Sequence, residues 1–267
     1  MGDRVLIDID GGVAHVRLNR PDKHNALDPA MFRALADAGR QVAANPSIRA
    51  AVLSGEGKSF CAGLDFASFL GDQPAMQALL ERNPDESPAN GAQRAAWVWQ
   101  EVPVPVIAAV RGVAFGGGFQ IALGADLRYL APDARLSAME LKWGLVPDMA
   151  ITQTLLGLVR RDIARELLFT GRIVEATEAK ALGLATRLSD DPLQDALETA
   201  RLIATKSPHA IRAAKRLLRD AEDRSRADAL LLETELQLPL LGSPNAMEAV
   251  QANMQKRQPR FSDPDAE

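Results

Sequence analysis

The chain has a single cysteine, Cys61, and only three histidines in 267 residues. One cysteine excludes an intramolecular disulfide and suits a reducing cytosol. His15, His24 and His209 are scattered along the chain without metal-ligand spacing. The sequence therefore predicts no metal site.

The sequence also lacks long apolar runs and blocks of basic residues. No segment approaches the roughly 18 uninterrupted apolar residues of a membrane span. The first residues, MGDRVLIDIDGG, carry acids and lack the apolar core of a signal peptide. The net charge is −4, which disfavours nucleic acid or an anionic membrane as a partner. We expect a soluble cytoplasmic protein with no nucleic-acid or membrane partner.

Strand and helix patterns alternate through the first two thirds of the chain. Apolar residues alternate around Asp10-Gly11-Gly12, which predicts a β-hairpin, and Asp28-Pro29 has the cap and proline of a helix start. From about Asp162 the pattern is almost entirely helical. These patterns predict an α/β core at 1–190 and a helical region at 191–267. Further strands are predicted at 50–53, 104–110 and 126–130.

The polar segment from Gly71 to Gln93 is rich in proline, asparagine and aspartate. Such composition is typical of a loop, and part of the segment has a helical pattern. We interpret it as a loop with a helix inside it and as a candidate lid.

Three consecutive glycines, Gly116 to Gly118, separate a predicted strand from an apolar helix. The first N–H groups of a helix lack intrahelical partners and lie at the positive end of its dipole, and glycine lets a ligand approach closely. Ile121 stands where a dinucleotide fingerprint requires glycine, and Phe119-Gln120 replaces the Gly-Lys of a phosphate loop. The alternative is tight strand–helix packing alone.

A second turn, GEGKSFCAGLDF from Gly55 to Phe66, also follows a predicted strand. Two backbone N–H donors from separate turns can form an oxyanion hole, which is worth roughly 3–4 kcal/mol per donor in the transition state. The two turns together therefore favour stabilisation of a developing oxyanion.

Six blocks of the sequence follow one another in a fixed order: LNRPDKHNAL, SGEGKSFCAGLD, PVIAAVRGVAFGGG, GADLRYLAPDARLSAMELKWGLVPD, FTGRIVEATEAKALGLATRL and KRQPRF. Together these blocks resemble the crotonase superfamily, the enoyl-CoA hydratases and isomerases. The resemblance implies an α/β fold, a spiral of ββα turns followed by a C-terminal helical region that assembles trimers or hexamers. It also implies an acyl-CoA thioester substrate and no separate cofactor, since coenzyme A is carried by the substrate.

The resemblance implies roles for individual residues. The N–H groups of Leu64 and Gly117 would form the oxyanion hole for the thioester carbonyl. Lys256 falls where some relatives reach a CoA phosphate across a subunit boundary, and Lys23 lies in a segment one residue longer than in typical hydratases. The implied substrate or CoA contacts are Lys23, Ala62, Asp65, Gly116 and Lys256.

The acids match the family only in part. The first of the two hydratase glutamates is replaced by Gln120, whose amide can orient water but has no carboxyl proton to exchange. The second is present as Glu140. Asp148 stands where dienoyl-CoA isomerases place one acid of a pair, although those enzymes also carry an acid at position 120. A turn or helix cap is the alternative role for Asp148.

We expect isomerisation of an enoyl- or dienoyl-CoA double bond, with Glu140 as acid/base and Asp148 assisting. Apolar neighbours such as Met139 and Trp143 should raise the proton affinity of Glu140. One alternative is hydration, with Gln120 orienting the water. Others are a different enolate enzyme, such as a thioester hydrolase, decarboxylase or dehalogenase, and a non-catalytic relative that binds acyl-CoA or RNA.

Overall fold

The computed structural model describes residues 2–69, 73–83 and 87–265. The strands in these ranges are β1 (Val5–Asp10), β2 (Val13–Leu18), β3 (Ala50–Gly55), β4 (Val106–Val110), β5 (Val113–Phe115), β6 (Leu127–Leu130), β7 (Arg135–Ser137), β8 (Val174–Glu175) and β9 (Arg187–Leu188). They form a six-stranded sheet in the order β1-β2-β3-β4-β6-β9 and a three-stranded sheet in the order β5-β7-β8.

The α-helices of the same ranges are α1 (Pro29–Ala44), α2 (Phe66–Phe69), α3 (Gln73–Leu80), α4 (Gly91–Glu101), α5 (Gly117–Gly124), α6 (Ile151–Thr154), α7 (Arg161–Thr170), α8 (Ala176–Leu182), α9 (Pro192–Ala204), α10 (Pro208–Ala221), α11 (Arg226–Gln237) and α12 (Pro244–Met254). Short 3₁₀ helices cover Pro21–Lys23 and Glu140–Trp143. None of these helices is long and apolar enough to cross a membrane.

The strand arrangement follows from the sequence patterns. β1 and β2 form the predicted antiparallel hairpin, whereas β2, β3, β4 and β6 run parallel. β4 is buried along its whole length, as expected of a central parallel strand. From β4 the chain passes to β5 and α5, and from β6 to β7. Successive units therefore place one strand in each sheet, which produces the ββα spiral.

The core lies on both faces of the large sheet. One face packs against α1, α4 and α5, and Trp99 and Phe119 are among its fully or almost fully buried side chains. The other face packs against α9 through Ala196 and Ala200. α9 therefore belongs to the core layers, although the sequence placed its residues in a separate helical region.

The chain beyond α9 contacts this core through polar groups, and those of α10 are buried. Lys215 of α10 lies 2.8 Å from a carboxylate oxygen of Asp126 and donates to the carbonyl oxygens of Trp99 and Val104. Arg49 binds Asp263 near the C-terminus at 2.8 Å. Since a charge on Lys215 without partners would be costly in this position, the contacts fix the orientation of α10.

The polar segment predicted at 71–93 contains the expected helix, α3. Its last three residues belong to α4, whose first turn is fixed by reciprocal hydrogen bonds between Asn90 and Gln93. Residues 70–72 and 84–86 lie outside the described residues, so the prediction of a loop there stays a prediction.

Candidate active site

The two glycine-containing turns lie side by side at one edge of the sheets. The N–H of Cys61 donates to the carbonyl oxygen of Val113, and the N–H of Phe115 donates to the carbonyl oxygen of Cys61, each at 3.0 Å. Leu27 binds the turn at Gly55–Phe66 from the other side, donating its N–H to the carbonyl oxygen of Gly63 at 2.8 Å. The turns are therefore held in fixed relation by main-chain bonds.

Each of the three consecutive glycines is required for a different physical reason. Gly116 has a φ of +52°, a conformation that favours glycine. A Cβ on Gly117 would lie 2.7 Å from the side chains of Leu27 and Met149, and one on Gly118 would lie 2.3 Å from the carbonyl oxygen of Cys61. The turn thus combines close strand–helix packing with a helix start whose first N–H groups are open to a ligand. This geometry is compatible with both interpretations of the sequence, approach of a ligand and tight packing.

The N–H groups of Leu64 and Gly117 are available to a ligand. Gly117 is the first residue of α5, so its N–H has no intrahelical acceptor. Neither N–H donates a hydrogen bond to any of the described residues. Both residues line the same cavity, as an oxyanion hole would require.

This cavity has a volume of about 340 Å³ and is walled almost entirely by apolar groups. Glu140 and Asp148 are its polar side chains among the described residues. The apolar side chains that surround them are Leu27, Phe32, Ala62, Leu64, Phe66, Met76, Leu79, Leu80, Ala92, Met139, Trp143, Leu145, Val146 and Met149. An apolar pocket with two carboxyl groups beside open N–H donors suits proton transfer next to a carbonyl group.

Glu140 is held by Gln120. The amide nitrogen of Gln120 donates to Oε1 of Glu140 at 2.6 Å, and the amide oxygen accepts the N–H of Met149 at 2.8 Å. Gln120 is 0% exposed, and it is not among the residues that line the cavity. Its side chain thus joins the 3₁₀ helix of Glu140 to the segment of Asp148 and Met149.

The other carboxylate oxygen of Glu140, Oε2, is buried and has no hydrogen-bond partner among the described residues. Burial raises the pKa of Glu140; hydrogen bonds from the backbone and Gln120 oppose this, and repulsion from Asp148 adds to it. The raised pKa agrees with the expectation from its apolar neighbours. An unpaired oxygen with raised proton affinity is suited to accepting and returning a proton.

Asp148 opens onto the same cavity. Burial against the cavity walls raises its pKa above the usual carboxyl range. It is not the cap of α6, whose preceding residue is Ala150 with a φ of +66°. The structure therefore brings Asp148 together with Glu140, and the alternative role as a helix cap is wrong.

Three of the sequence-predicted contacts lie in the two glycine-containing turns, and two of them reach the cavity. Ala62 and Gly116 line it, whereas Asp65 does not. The carboxylate of Asp65 instead lies 2.8 Å from Arg20 and accepts the hydroxyl of Ser68. Burial alone would raise the pKa of Asp65, but these bonds lower it. Asp65 therefore supports the turn from outside the acyl cavity, and its substrate or CoA contact stays a prediction.

The two predicted lysines lie apart from the cavity. Lys23 ends the 3₁₀ helix next to His24, whose carbonyl oxygen accepts the N–H of Ala62 at 2.9 Å. Lys256 lines a separate polar depression together with Lys206 and Arg257. One chain alone does not bring Lys256 to the acyl cavity.

Sequence reasoning missed an aromatic pair at the cavity mouth. The rings of Phe66 and Trp143 lie with their centroids 4.4 Å apart, and both residues line the cavity. Neither Trp97 nor Trp99 lines the cavity, and Trp99 is fully buried in the core. Nothing in the local sequence distinguishes these tryptophans, because the pairing depends on the position of α2.

The histidines form contacts that the sequence did not suggest. His15 Nε2 lies 2.8 Å from Ser54 Oγ, and His24 Nδ1 lies 3.0 Å from Ser59 Oγ. Neither serine lines the acyl cavity, so neither is positioned to attack a thioester bound there. Among the described residues, no cluster of histidine, cysteine and acidic side chains could hold a metal ion.

Comparison with known proteins agrees with this geometry. The sequence profile described as enoyl-CoA hydratase/isomerase matches residues 8–264. An enoyl-CoA hydratase of Mycobacterium tuberculosis is 32% identical over 267 residues, covering 97% of both chains. The mitochondrial Delta(3,5)-Delta(2,4)-dienoyl-CoA isomerase of Homo sapiens is 31% identical, covering 92% of this chain and 77% of the relative.

Solved structures with a similar fold are also enoyl-CoA hydratases. The crystal structure of an enoyl-CoA hydratase from Bacillus anthracis matches with a TM-score of 0.88 and 28% identity, covering 97% of this chain and 98% of that one. An enoyl-CoA hydratase structure from Mycobacterium tuberculosis H37Rv matches with a TM-score of 0.87 and 30% identity, covering 98% and 99%. The fold is therefore the crotonase-type spiral that the sequence predicted.

Proposed function

The chain belongs to the enoyl-CoA hydratase/isomerase family, and within it we propose that the protein moves a double bond along the acyl chain of an enoyl- or dienoyl-CoA thioester. The observation that carries this choice is the environment of Gln120. Its amide is fully buried, is bonded to Glu140 and Met149 and does not line the cavity, so it is not placed to orient water beside a substrate. The site therefore offers Glu140 without a second acid at position 120.

Glu140 accepts and returns the proton in the proposed reaction. Its free oxygen Oε2 takes a proton from the carbon next to the thioester, and the electron pair of the broken C–H bond moves into the carbonyl oxygen. The N–H groups of Leu64 and Gly117 stabilise the resulting enolate. Return of the proton further along the chain closes the new double bond, with no net gain or loss of atoms. Asp148 is the second group that can hold the proton.

Hydration requires a different set of catalytic groups. Water must be added across the double bond, so one group activates the water while a proton reaches the neighbouring carbon. Relatives carry both names, enoyl-CoA hydratase and dienoyl-CoA isomerase, at similar identity. Asp148 beside Glu140 and the sealed Gln120 support isomerisation over hydration.

Incubation in D2O with crotonyl-CoA, a 3-enoyl-CoA and a 3,5-dienoyl-CoA tests the proposal. Absorbance follows the position of the double bond, and mass separates deuterium uptake from water addition. We expect deuterium uptake with a shifted double bond and no added water. Rapid gain of one water from crotonyl-CoA would establish hydration instead, and binding of acyl-CoA without any change would indicate a non-catalytic relative.

Glu140→Gln should lower the rate of proton exchange by at least about a hundredfold, since it removes the general base. The variant keeps the size of the side chain, so acyl-CoA binding should change little. Glu175→Gln removes an exposed carboxylate outside the cavity and serves as the matched control. Unchanged exchange in Glu140→Gln would contradict the assignment of the base.

A further inference from the structure

The walls of the acyl cavity define the kind of acyl group that fits, and this inference rests on the proposed function. We propose that the substrate carries an entirely apolar acyl chain of medium length, up to about ten carbons, and that Ala92 sets the upper limit. The evidence is the chemistry of the lining, the cavity volume and the position of α4.

The lining offers few partners for a polar acyl tail. Apart from the two acids and the indole N–H of Trp143, the described residues around the cavity contribute no hydroxyl, amide, imidazole or basic side chain. A hydroxyl on the tail would lose its hydrogen bonds with water, and a tail carboxylate would also be repelled by Glu140 and Asp148. Charged and hydroxylated tails are therefore disfavoured.

The cavity volume sets the length. An apolar cavity of about 150 Å³ accommodates a benzene ring with six carbons. The 340 Å³ found here is therefore enough for roughly twice as many non-hydrogen atoms, part of which belong to the thioester. A chain of about eight to ten carbons fills the rest, whereas longer chains exceed it.

Burial gives the direction of the chain. Trp143 and Val146 are exposed, so they form the open end. Phe32 and Leu79 are buried at the other end, where α1, α3 and α4 meet. The tail of the acyl chain therefore points towards these three helices.

Ala92 lies in this buried end, on the first turn of α4. The reciprocal bonds between Asn90 and Gln93 fix that turn, and α3 packs so closely that a Cβ on Gly91 would lie 3.2 Å from the carbonyl oxygen of Leu79. A larger side chain at position 92 would therefore occupy cavity space, because the helix has little freedom to retreat.

Calorimetric binding of saturated acyl-CoAs from butyryl to tetradecanoyl tests the inference without catalysis. These thioesters have no double bond to move or hydrate, so the result is separate from the D2O experiment. We expect the Kd to fall about fourfold per added methylene up to roughly ten carbons, and no further gain beyond. Adipoyl-CoA, which ends in a carboxylate, should bind at least tenfold more weakly than hexanoyl-CoA.

Ala92→Leu should raise the Kd of decanoyl-CoA roughly fifteenfold, since about two methylenes lose their place, while butyryl-CoA changes less than twofold. Ala78→Leu, on the exposed side of α3 and outside the cavity lining, is the matched control. If Ala92→Leu misfolds by circular dichroism, Ala92→Val replaces it. Equal effects on both ligands, no dependence on chain length or tight binding of adipoyl-CoA would overturn the inference.

Discussion

At the scale of single residues, the site depends on one amide that does not touch the cavity. Gln120 holds Oε1 of Glu140 and the N–H of Met149, which leaves Oε2 free for the proton. The sequence identified the exchange of glutamate for glutamine at this position, but it could not show that the amide is sealed. That property depends on contacts between segments twenty and twenty-nine residues apart, which no local pattern encodes.

The pair of acids gives a prediction for the dependence of activity on pH. Repulsion from Asp148 contributes to the raised pKa of Glu140, so Asp148→Asn should lower that pKa. Glu140 must be ionised to accept a proton, and activity therefore rises as pH rises through its pKa. In Asp148→Asn we expect the acidic limb of the kcat/KM profile to move to lower pH.

The position of this limb separates an electrostatic role of Asp148 from a general loss of activity. If Asp148 also holds the proton, the plateau will fall as well, but the limb should still move. Asp223→Asn makes the same charge change at an exposed site on the C-terminal helical region and should leave the limb in place. An unmoved limb in Asp148→Asn would show that the two carboxyl groups do not interact.

At the scale of elements, the glycines in the turn before α5 are needed for different reasons, and single substitutions can distinguish these reasons. A methyl on Gly118 would meet the backbone of Cys61 at 2.3 Å, and backbone cannot give way. We expect Gly118→Ala to lower the free energy of unfolding by about 3 kcal/mol in chemical denaturation, because the two turns must separate.

Gly117→Ala should behave differently. Its methyl would meet only the ends of the Leu27 and Met149 side chains, so the expected loss of stability is about 1 kcal/mol. The same methyl lies beside the proposed oxyanion N–H, and kcat should fall about a hundredfold. Equal loss of stability in the two variants would contradict the distinction.

The elements also show how far sequence reasoning reaches. The hairpin, the cap at Asp28, the buried strands and both glycine turns were predicted, because each has a local pattern of spacing or turn chemistry. The hydrogen bonds of His15 with Ser54 and of His24 with Ser59 were missed, as was the pairing of Phe66 with Trp143. These contacts join elements distant in the sequence, and packing of the whole chain determines them.

At the scale of the whole molecule, the C-terminal helices present an apolar surface that one chain does not cover. The exposed apolar side chains of α11, α12 and the connection between them are Leu230, Leu231, Leu238, Leu241, Met247, Val250 and Met254. Large exposed apolar patches mark protein interfaces. We therefore expect these helices to form the contacts of the trimer or hexamer that the resemblance implies.

Assembly should also explain Lys256, which lies outside the acyl cavity of its own chain. We expect light scattering to give three or six times the chain mass of 28.7 kDa, and Leu238→Asp to give the single-chain mass because it buries a charge in the interface.

Lys256→Ala should raise the Kd of CoA about threefold to tenfold in the assembled protein, as expected for loss of one phosphate contact. In the Leu238→Asp background the same change should have no effect, because a single chain cannot reach the phosphate of CoA bound to a neighbouring subunit. A single-chain mass for the unmodified protein, or an equal effect of Lys256→Ala in both backgrounds, would show that Lys256 does not act across a subunit boundary.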